Sequence, residues 1–377
     1  MFTLKNPKMD QRRRRISNDE DSSRETKRRK TAEDSNSREL THSAYSVGWV
    51  CALPKEQTAA IAMLDEIHAD LPKPLGDNNA YTLGSIGMHN IVIACLPKGE
   101  IGTSPAATIA TRMVGTFPSI KFGLMVGIGG GIPPKVRLGD IVVSTPVGQF
   151  PGVIQWDLGK AKSGDFERTG SLNNPPTALR TALTKLETQY DLEGSRIPEF
   201  FDEIKDKYPK LVSKYLRSDL LKDLLFKADY PHVTKSCAEY TTVSNDDNDN
   251  DEGEEEENCR LCDRTKVVKR KPRSMRVHYG LIASGNRVIK DALFRDTLNG
   301  NLGGNVLCVE MEAAGLMNSF PCIVIRGICD YADSHKSKDW QEYAAAVAAG
   351  FAKELLGHVQ PSDVDREQTV KDMISQG

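Results

Sequence analysis

Short apolar runs without polar alternation recur along this chain, and stretches with helical spacing separate them. Ser46 to Leu53, Asn90 to Leu96, Phe122 to Val126, Val277 to Ala283 and Cys322 to Ile328 read as strands buried on both faces. A shorter strand is expected at Asp140 to Ser144. Between them, Lys55 to Glu66 places Ala59, Ala60, Met63 and Leu64 on one helical face. Gly102 to Phe117 and Trp340 to Leu356 are Ala-rich and helical. Strands that alternate with helices must be covered on both sides, which dictates a layered α/β domain.

The middle of the chain breaks this rhythm. Roughly residues 155–275 hold amphipathic helices expected near Thr177–Tyr190 and Lys207–Lys227, then an acidic run from Asp246 to Glu257. That run cannot bury a core, so residues 245–258 are expected to form a disordered loop. The α/β pattern then resumes, which argues for one catalytic domain over 45–357 with a long insertion rather than two independent domains. Residues 1–44 are polar, charged and aperiodic and are expected to be disordered; 358–377 read as a polar tail or the start of a linker.

Charge and cysteine usage exclude several function classes. The net charge of −2 gives no global basic field for nucleic acid or membrane. No apolar run approaches the roughly 20 residues of a membrane span, and the N-terminus lacks the apolar core of a secretory signal. Cys51, Cys95, Cys308, Cys322 and Cys329 sit in apolar strands, as reduced thiols of an intracellular protein do. The basic clusters Arg12–Arg15 and Lys27–Lys30 fit a nuclear import signal and equally fit a solvated tail, leaving nuclear and cytoplasmic locations open. Cys259-x-x-Cys262, with Cys237 and His232 upstream, has the ligand types of a tetrahedral zinc site. A single CxxC is a weak signal, and free thiols are the stronger expectation.

The chemistry concentrates in two neighbouring segments. Cys308 to Met317 carries Glu310 and Glu312 to a strand end, and Cys322 to Asp330 is a buried strand holding Arg326 and ending in an acid. Strand-end carboxylates walled by apolar residues suit sugar hydroxyls and proton transfer. A second feature is Gly127-Ile128-Gly129-Gly130-Gly131 after Val126. It is followed by Ile132-Pro133-Pro134 rather than a helix, and it lacks the Lys-Ser/Thr of a P-loop. Gly129 and Gly130 let backbone approach a flat ligand closely, or make a tight turn at the strand end.

These blocks, in their order, resemble the nucleoside phosphorylase and nucleosidase superfamily. The resemblance rests on Ala52-Leu53-Pro54-Lys55-Glu56, on Val126 to Gly131 with Leu138 to Ser144, on Gly280 to Asn286, and on Val309 to Ala314 with Arg326 to Asp330. The chain is most similar to the fungal branch, where such domains often precede NACHT, ankyrin or TPR regions. The resemblance implies a three-layer α/β/α sandwich around a mixed, partly closed sheet. It also implies a small-molecule purine nucleoside or nucleotide as substrate and at least a homodimer; no cofactor or catalytic metal is expected, because carboxylates suffice for this chemistry.

Within that family the residues favour hydrolysis. Phosphorylases use an arginine just before the Gly-rich stretch, where this chain has Met125, and tend to offer another where it has Glu56. A carboxylate repels phosphate but can take a proton from water. The pattern resembles methylthioadenosine nucleosidase. By that resemblance Asp330 is the general acid that protonates purine N7, its pKa pushed up by an apolar site, and Glu56 is the base that activates water. Arg326 orients Glu56 and the water, Glu312 accepts ribose hydroxyls with Glu310 as second choice, and Met311 packs on the sugar. The backbone at Val288 and Ile289, after Ser284-Gly285-Asn286, borders the base.

Some positions depart from the pattern. Ile128 replaces a hydroxyl residue near the water, and Val288 replaces an aromatic that stacks on the base. Stacking from Phe150 or Trp156 is one remedy, and a different substrate is the other. Lys98 and Arg112 either meet a 5′-phosphate or are ordinary surface charges. Phosphorolysis and a non-catalytic sensing or oligomerising module remain the alternatives.

Overall fold

The computed structural model describes residues 40–163, 165–233, 259 and 261–376. The basic clusters, Cys237 and the acidic run from Asp246 to Glu257 lie outside these residues. From His42 onward the described residues belong to one unit.

The first half runs β1 (Val47–Cys51), α1 (Pro54–Ala62), β2 (Glu66–Ile67), β3 (Tyr81–Ile86), β4 (His89–Cys95), α2 (Thr103–Thr116), β5 (Phe122–Gly131), β6 (Ile141–Ser144) and β7 (Val153–Gln155). The insertion follows with β8 (Gly159–Lys162), β9 (Asp165–Arg168), α3 (Thr177–Glu193), α4 (Ile197–Lys207) and the single turn α5 (Val212–Tyr215). The chain returns through β10 (Val277–Ser284), α6 (Ala292–Asn301), β11 (Val306–Glu310), β12 (Cys322–Asp330), α7 (Gln341–Leu356), α8 (Pro361–Arg366) and α9 (Val370–Gln376).

Among the described residues ten strands join one mixed sheet. Its order is β2-β3-β4-β1-β5-β12-β6-β10-β11, with β7 on β10. β11 also pairs antiparallel with β5, through Cys308 with Gly131 and Val309 with Gly130. That extra pairing closes β5, β12, β6, β10 and β11 into a ring, so the expected partly closed sheet is found.

Strand alternation sorts the layers. Val47, Trp49 and Cys51 of β1 join the main apolar cluster with α7, whereas Gly48 faces Met113 of α2 and Phe320. α7 is apolar almost all round, and every residue from Tyr343 to Leu356 is buried. It lies directly on β12: a Cβ on Gly327 would come 1.9 Å from the Ala344 carbonyl oxygen. The insertion helices share this core, since Leu179, Leu183, Leu186, Phe200 and Ile204 pack into the same cluster. Asp140 ties the end of the insertion back to the sheet. It accepts from Arg273 Nη1 at 2.7 Å and from the Arg276 amide at 3.0 Å, with His278 Nε2 at 2.8 Å.

Three expectations are corrected. The glycine-rich stretch is not a turn: β5 continues to Gly131, because β12 on one side and β11 on the other pair with it. No helix spans Lys207 to Lys227. α4 ends at Lys207 because Tyr208 precedes Pro209, which pushes it out of the helical region to φ −134°, ψ 64°. Residues after 358 are not a loose tail. They form α8 and α9, with Val364 and Val370 buried and the Val370 amide donating to Ile120 at 2.8 Å. No helix of the described residues is long and apolar enough to cross a membrane.

Candidate active site

The carboxyl ends of β1, β4, β5, β10, β11 and β12 surround a cleft with about 150 Å³ of free space. Ligands of α/β sheets characteristically sit at this end of the strands. Glu56, Glu310, Met311, Glu312 and Asp330 all line it, with Gly129, Gly130, Ile128, Val288 and Ile289.

Glu56 is brought in by α1, which starts immediately after β1. Pro54 at the helix start has no amide to lose, and Glu56 folds back over the exposed amides of that turn. Its Oε2 accepts from Ala52 N at 2.7 Å and Leu53 N at 3.0 Å, and its Oε1 from Ile128 N at 2.8 Å. Burial raises its pKa, against the opposing charge of Arg326 and these amide bonds. Gly127 makes room for it, since a Cβ there would stand 2.3 Å from Glu56 Oε1 and 2.5 Å from Arg326 Nη1.

Arg326 is 1% exposed and pairs through Nη2 with Glu310, at close range, and with Glu312 at 3.4 Å. Burial works against its charge, but Glu310, Glu312 and Glu56 outweigh it and raise its pKa. Among the described residues the hydrogen bonds of its guanidinium go to those two acids and the Ile128 carbonyl, and its Nε has no partner. The expectation that Arg326 orients Glu56 is thereby modified: the two interact by charge, while the direct bonds go to Glu310 and Glu312.

Glu310 and Glu312 differ in what they have left to offer. Glu310 also accepts the amides of Glu312 at 3.1 Å and Ala313 at 3.0 Å, so it caps the turn after β11. Glu312 lies beyond the strand end, and among the described residues its hydrogen bonds are long, to Gly102 N and Arg326 at 3.4 Å each. Burial pushes Glu312 up to about 7, with Arg326 opposing and the neighbouring acids adding to the rise.

Asp330 closes β12. Its Oδ1 accepts from Ala332 N at 2.8 Å, and Lys336 Nζ lies 3.0 Å from its Oδ2. Ala332 has φ 51°, a left-handed conformation that costs a side-chain-bearing residue roughly 1–2 kcal/mol. Such strain collects where geometry is over-determined by its surroundings. A Cβ on Gly130 would stand 2.8 Å from Asp330 Oδ1, so this glycine clears space for the carboxylate.

Other residues fall differently from expectation. Ser284 does not line the cleft: it is fully buried, and its Oγ accepts the Ala314 amide at 2.9 Å. Asn286 is a brace between loops, accepting from Thr103 N at 3.0 Å and donating its amide to Asp157 at 2.7 Å. Gly285 allows Trp156 to pack close, with its absent Cβ 2.5 Å from Trp156 Nε1. Trp156 lines the cleft and Phe150 does not. Lys98 and Arg112 also lie off the lining, where the cations are Arg287 and Lys336, both unnoticed in the sequence because they sit in aperiodic loops. Met125 is fully buried in β5 and does not reach the cleft.

No family model matches the sequence. A nucleotide-binding leucine-rich repeat (NLR)-like protein of Hyaloscypha variabilis is 48% identical over 329 residues, or 85% of this chain, which spans 30% of that protein's length. A 5′-methylthioadenosine/S-adenosylhomocysteine nucleosidase of Mycobacterium bovis is 22% identical, covering 83% of this chain and 96% of that one. Among solved structures, futalosine hydrolase of Helicobacter pylori superposes with a TM-score of 0.50 at 16% identity, covering 84% of this chain and 99% of that one. The 5′-methylthioadenosine/S-adenosylhomocysteine nucleosidase of the same organism gives the same TM-score and identity over 83% and 98%. The chain therefore has the nucleosidase fold.

Proposed function

We propose that this domain is a purine N-glycosidase, hydrolysing a purine nucleoside or nucleotide to free base and ribose or ribose phosphate. The observation that carries the reading is the convergence of Glu56, Glu312 and Asp330 on one strand-end cleft, with Met311 beside them. Cleaving an N-glycosidic bond passes through an oxocarbenium-like sugar, and the purine leaves well only when protonated. Asp330 supplies that proton at N7, and the Lys336 ammonium, 3.0 Å from Asp330 Oδ2, stabilises the carboxylate left behind. Glu56 takes a proton from the attacking water, a role that burial favours by raising its basicity. Glu312, with its long and few contacts, receives the ribose hydroxyls, while Glu310 stays engaged with Arg326. Trp156 supplies the apolar wall for the base that Val288, half exposed, does not. The nucleosidases that share the fold support this assignment of substrate class.

Incubation without phosphate against adenosine, inosine, guanosine, methylthioadenosine, AMP and ATP, with free base measured by chromatography, tests the reading. Base release from at least one of them is expected. Release only when phosphate is added would convert the reading to phosphorolysis. Ligand binding with no base released would favour a sensing module, the second reading that the NLR-like relative supports. We further propose at least a homodimer, in which a second copy covers Ile101, 48% exposed at the cleft.

A further inference from the structure

The geometry points to a zinc site that ties the insertion to the loop after β12, built on the cluster of His232, Cys259 and Cys262 with His335 as its fourth ligand. His232 Nδ1 lies 3.3 Å from Cys262 Sγ and 3.7 Å from Cys259 Sγ, and the three ligand atoms all fall within 4.8 Å of one another. Zinc bonds of about 2.3 Å to sulfur and about 2.0–2.1 Å to nitrogen, at a tetrahedral angle, put sulfur and nitrogen about 3.6 Å apart. The two sulfur–nitrogen distances are thus close to those one metal would impose.

The fourth ligand comes from the loop after β12. The His335 side chain is 5% exposed, and its Nε2 is buried without a hydrogen-bond partner among the described residues. An orphaned imidazole nitrogen in that setting costs free energy that a metal bond removes. Its ring stands edge-on to that of His232 at 5.6 Å between centroids, and it lines the same cavity as Cys259. Its other nitrogen, Nδ1, is directed at Asp333 Oδ1, 4.0 Å away. A carboxylate behind the non-ligating nitrogen is the usual way a metal-binding histidine is oriented. Phe226 stacks on the ring at 4.0 Å and 11°, fixing its plane.

The site's position suggests what it does. It joins residue 232 to residues 259–262, and both to the loop that carries Lys336 beside Asp330. The His232 amide already donates to Ser334 Oγ at 2.9 Å on that loop. The metal is structural: four protein ligands leave no open position for substrate or water. The inference stands on these ligands and does not depend on the reaction proposed for the cleft.

Metal analysis of the full chain, purified reduced and without chelator, tests it. About one equivalent of zinc per chain is expected, with Cys259→Ser and Cys262→Ser each below about a tenth. Cobalt reconstitution is expected to give the intense visible spectrum of a tetrahedral thiolate site, lost in Cys262→Ser. His335→Ala is expected to bind zinc at least tenfold more weakly, with an altered cobalt spectrum. Wild-type protein holding under a tenth of an equivalent, and taking up none from added zinc, would overturn the site without recourse to any variant. His335→Ala with unchanged occupancy and spectrum would overturn the fourth ligand.

Discussion

Three carboxylates, Glu56, Glu310 and Glu312, share the field of one buried guanidinium, Arg326. One positive charge cannot hold three buried anions, so a proton is retained, and Glu312 keeps it up to about 7. This raised value has a sign that can be checked. Unfolded, the group ionises near 4.5. Its contribution to stability is therefore complete below that pH and is lost as pH rises towards 7. Glu312→Gln should flatten the fall in Tm between these two pH values, as read by thermal melts across the range. The proposed chemistry makes two further predictions at this scale. Glu56→Gln should lower kcat by about 10²–10⁴-fold with KM little changed. Lys336→Met should lower kcat by roughly tenfold or more, because the Asp330 carboxylate formed when the base leaves then lacks the ammonium 3.0 Å from it; an unchanged kcat would remove Lys336 from the mechanism. Glu312 and Asp330 were legible in the sequence as acids at the ends of buried strands, whereas Glu56, on a helix, is marked out only by the family resemblance. Lys336, Arg287 and the left-handed Ala332 were not, since loop residues carry no period that marks where they point.

Elements approach one another here at glycines, and this is where the sequence was partly misread. Gly127 to Gly131 fits either a close backbone approach to a flat ligand or a tight turn at the strand end, because glycine permits both. In the structure the same residues are a paired strand whose missing side chains admit Glu56, Arg326 and Asp330. The β12–α7 contact works the same way. Gly327→Ala would drive a Cβ to 1.9 Å from the Ala344 carbonyl oxygen, backbone against backbone, so α7 must shift. A fall in stability of several kcal/mol, or loss of soluble protein, is expected from thermal or urea unfolding. Gly350→Ala, on α7 itself, is the contrast. Its Cβ would meet Ile197 and Met63 side chains at 3.3–3.4 Å, and helix propensity gains roughly 1 kcal/mol. It should stay within about 1 kcal/mol of wild type in the same measurement. The strands and α7 themselves were legible, since apolar runs and all-round apolar helices are direct consequences of burial. The break at Tyr208–Pro209 was also readable and was overridden by the amphipathic spacing around it.

At the scale of the molecule, the segments that looked dispensable are built into the core. The insertion contributes α3 and α4 to the cluster around α7, and Glu354 of α7 accepts from Tyr190 at 2.7 Å and from the Arg196 amide at 2.9 Å. The C-terminal stretch read as polar because its apolar residues are few and spread over two short helices, too little for a period to show. Yet Val359 and Val364 join the main cluster, and His89 Nε2 contacts the Val359 carbonyl at 3.0 Å. Lys121 Nζ donates to the Glu367 carbonyl at 2.7 Å, which holds α8 and α9 beside the β5 entrance. Removing residues 361–377 uncovers the buried Val364 and Val370 contacts, each worth about 1.5–3 kcal/mol of apolar burial as an upper estimate. Stability should fall by up to roughly 3–6 kcal/mol in urea unfolding, while the cleft, which these residues do not line, keeps its geometry. The truncated chain should therefore release base at a near-normal rate well below its lowered Tm. A truncated chain as stable as the full one would show that the two helices rest on the domain without supporting it.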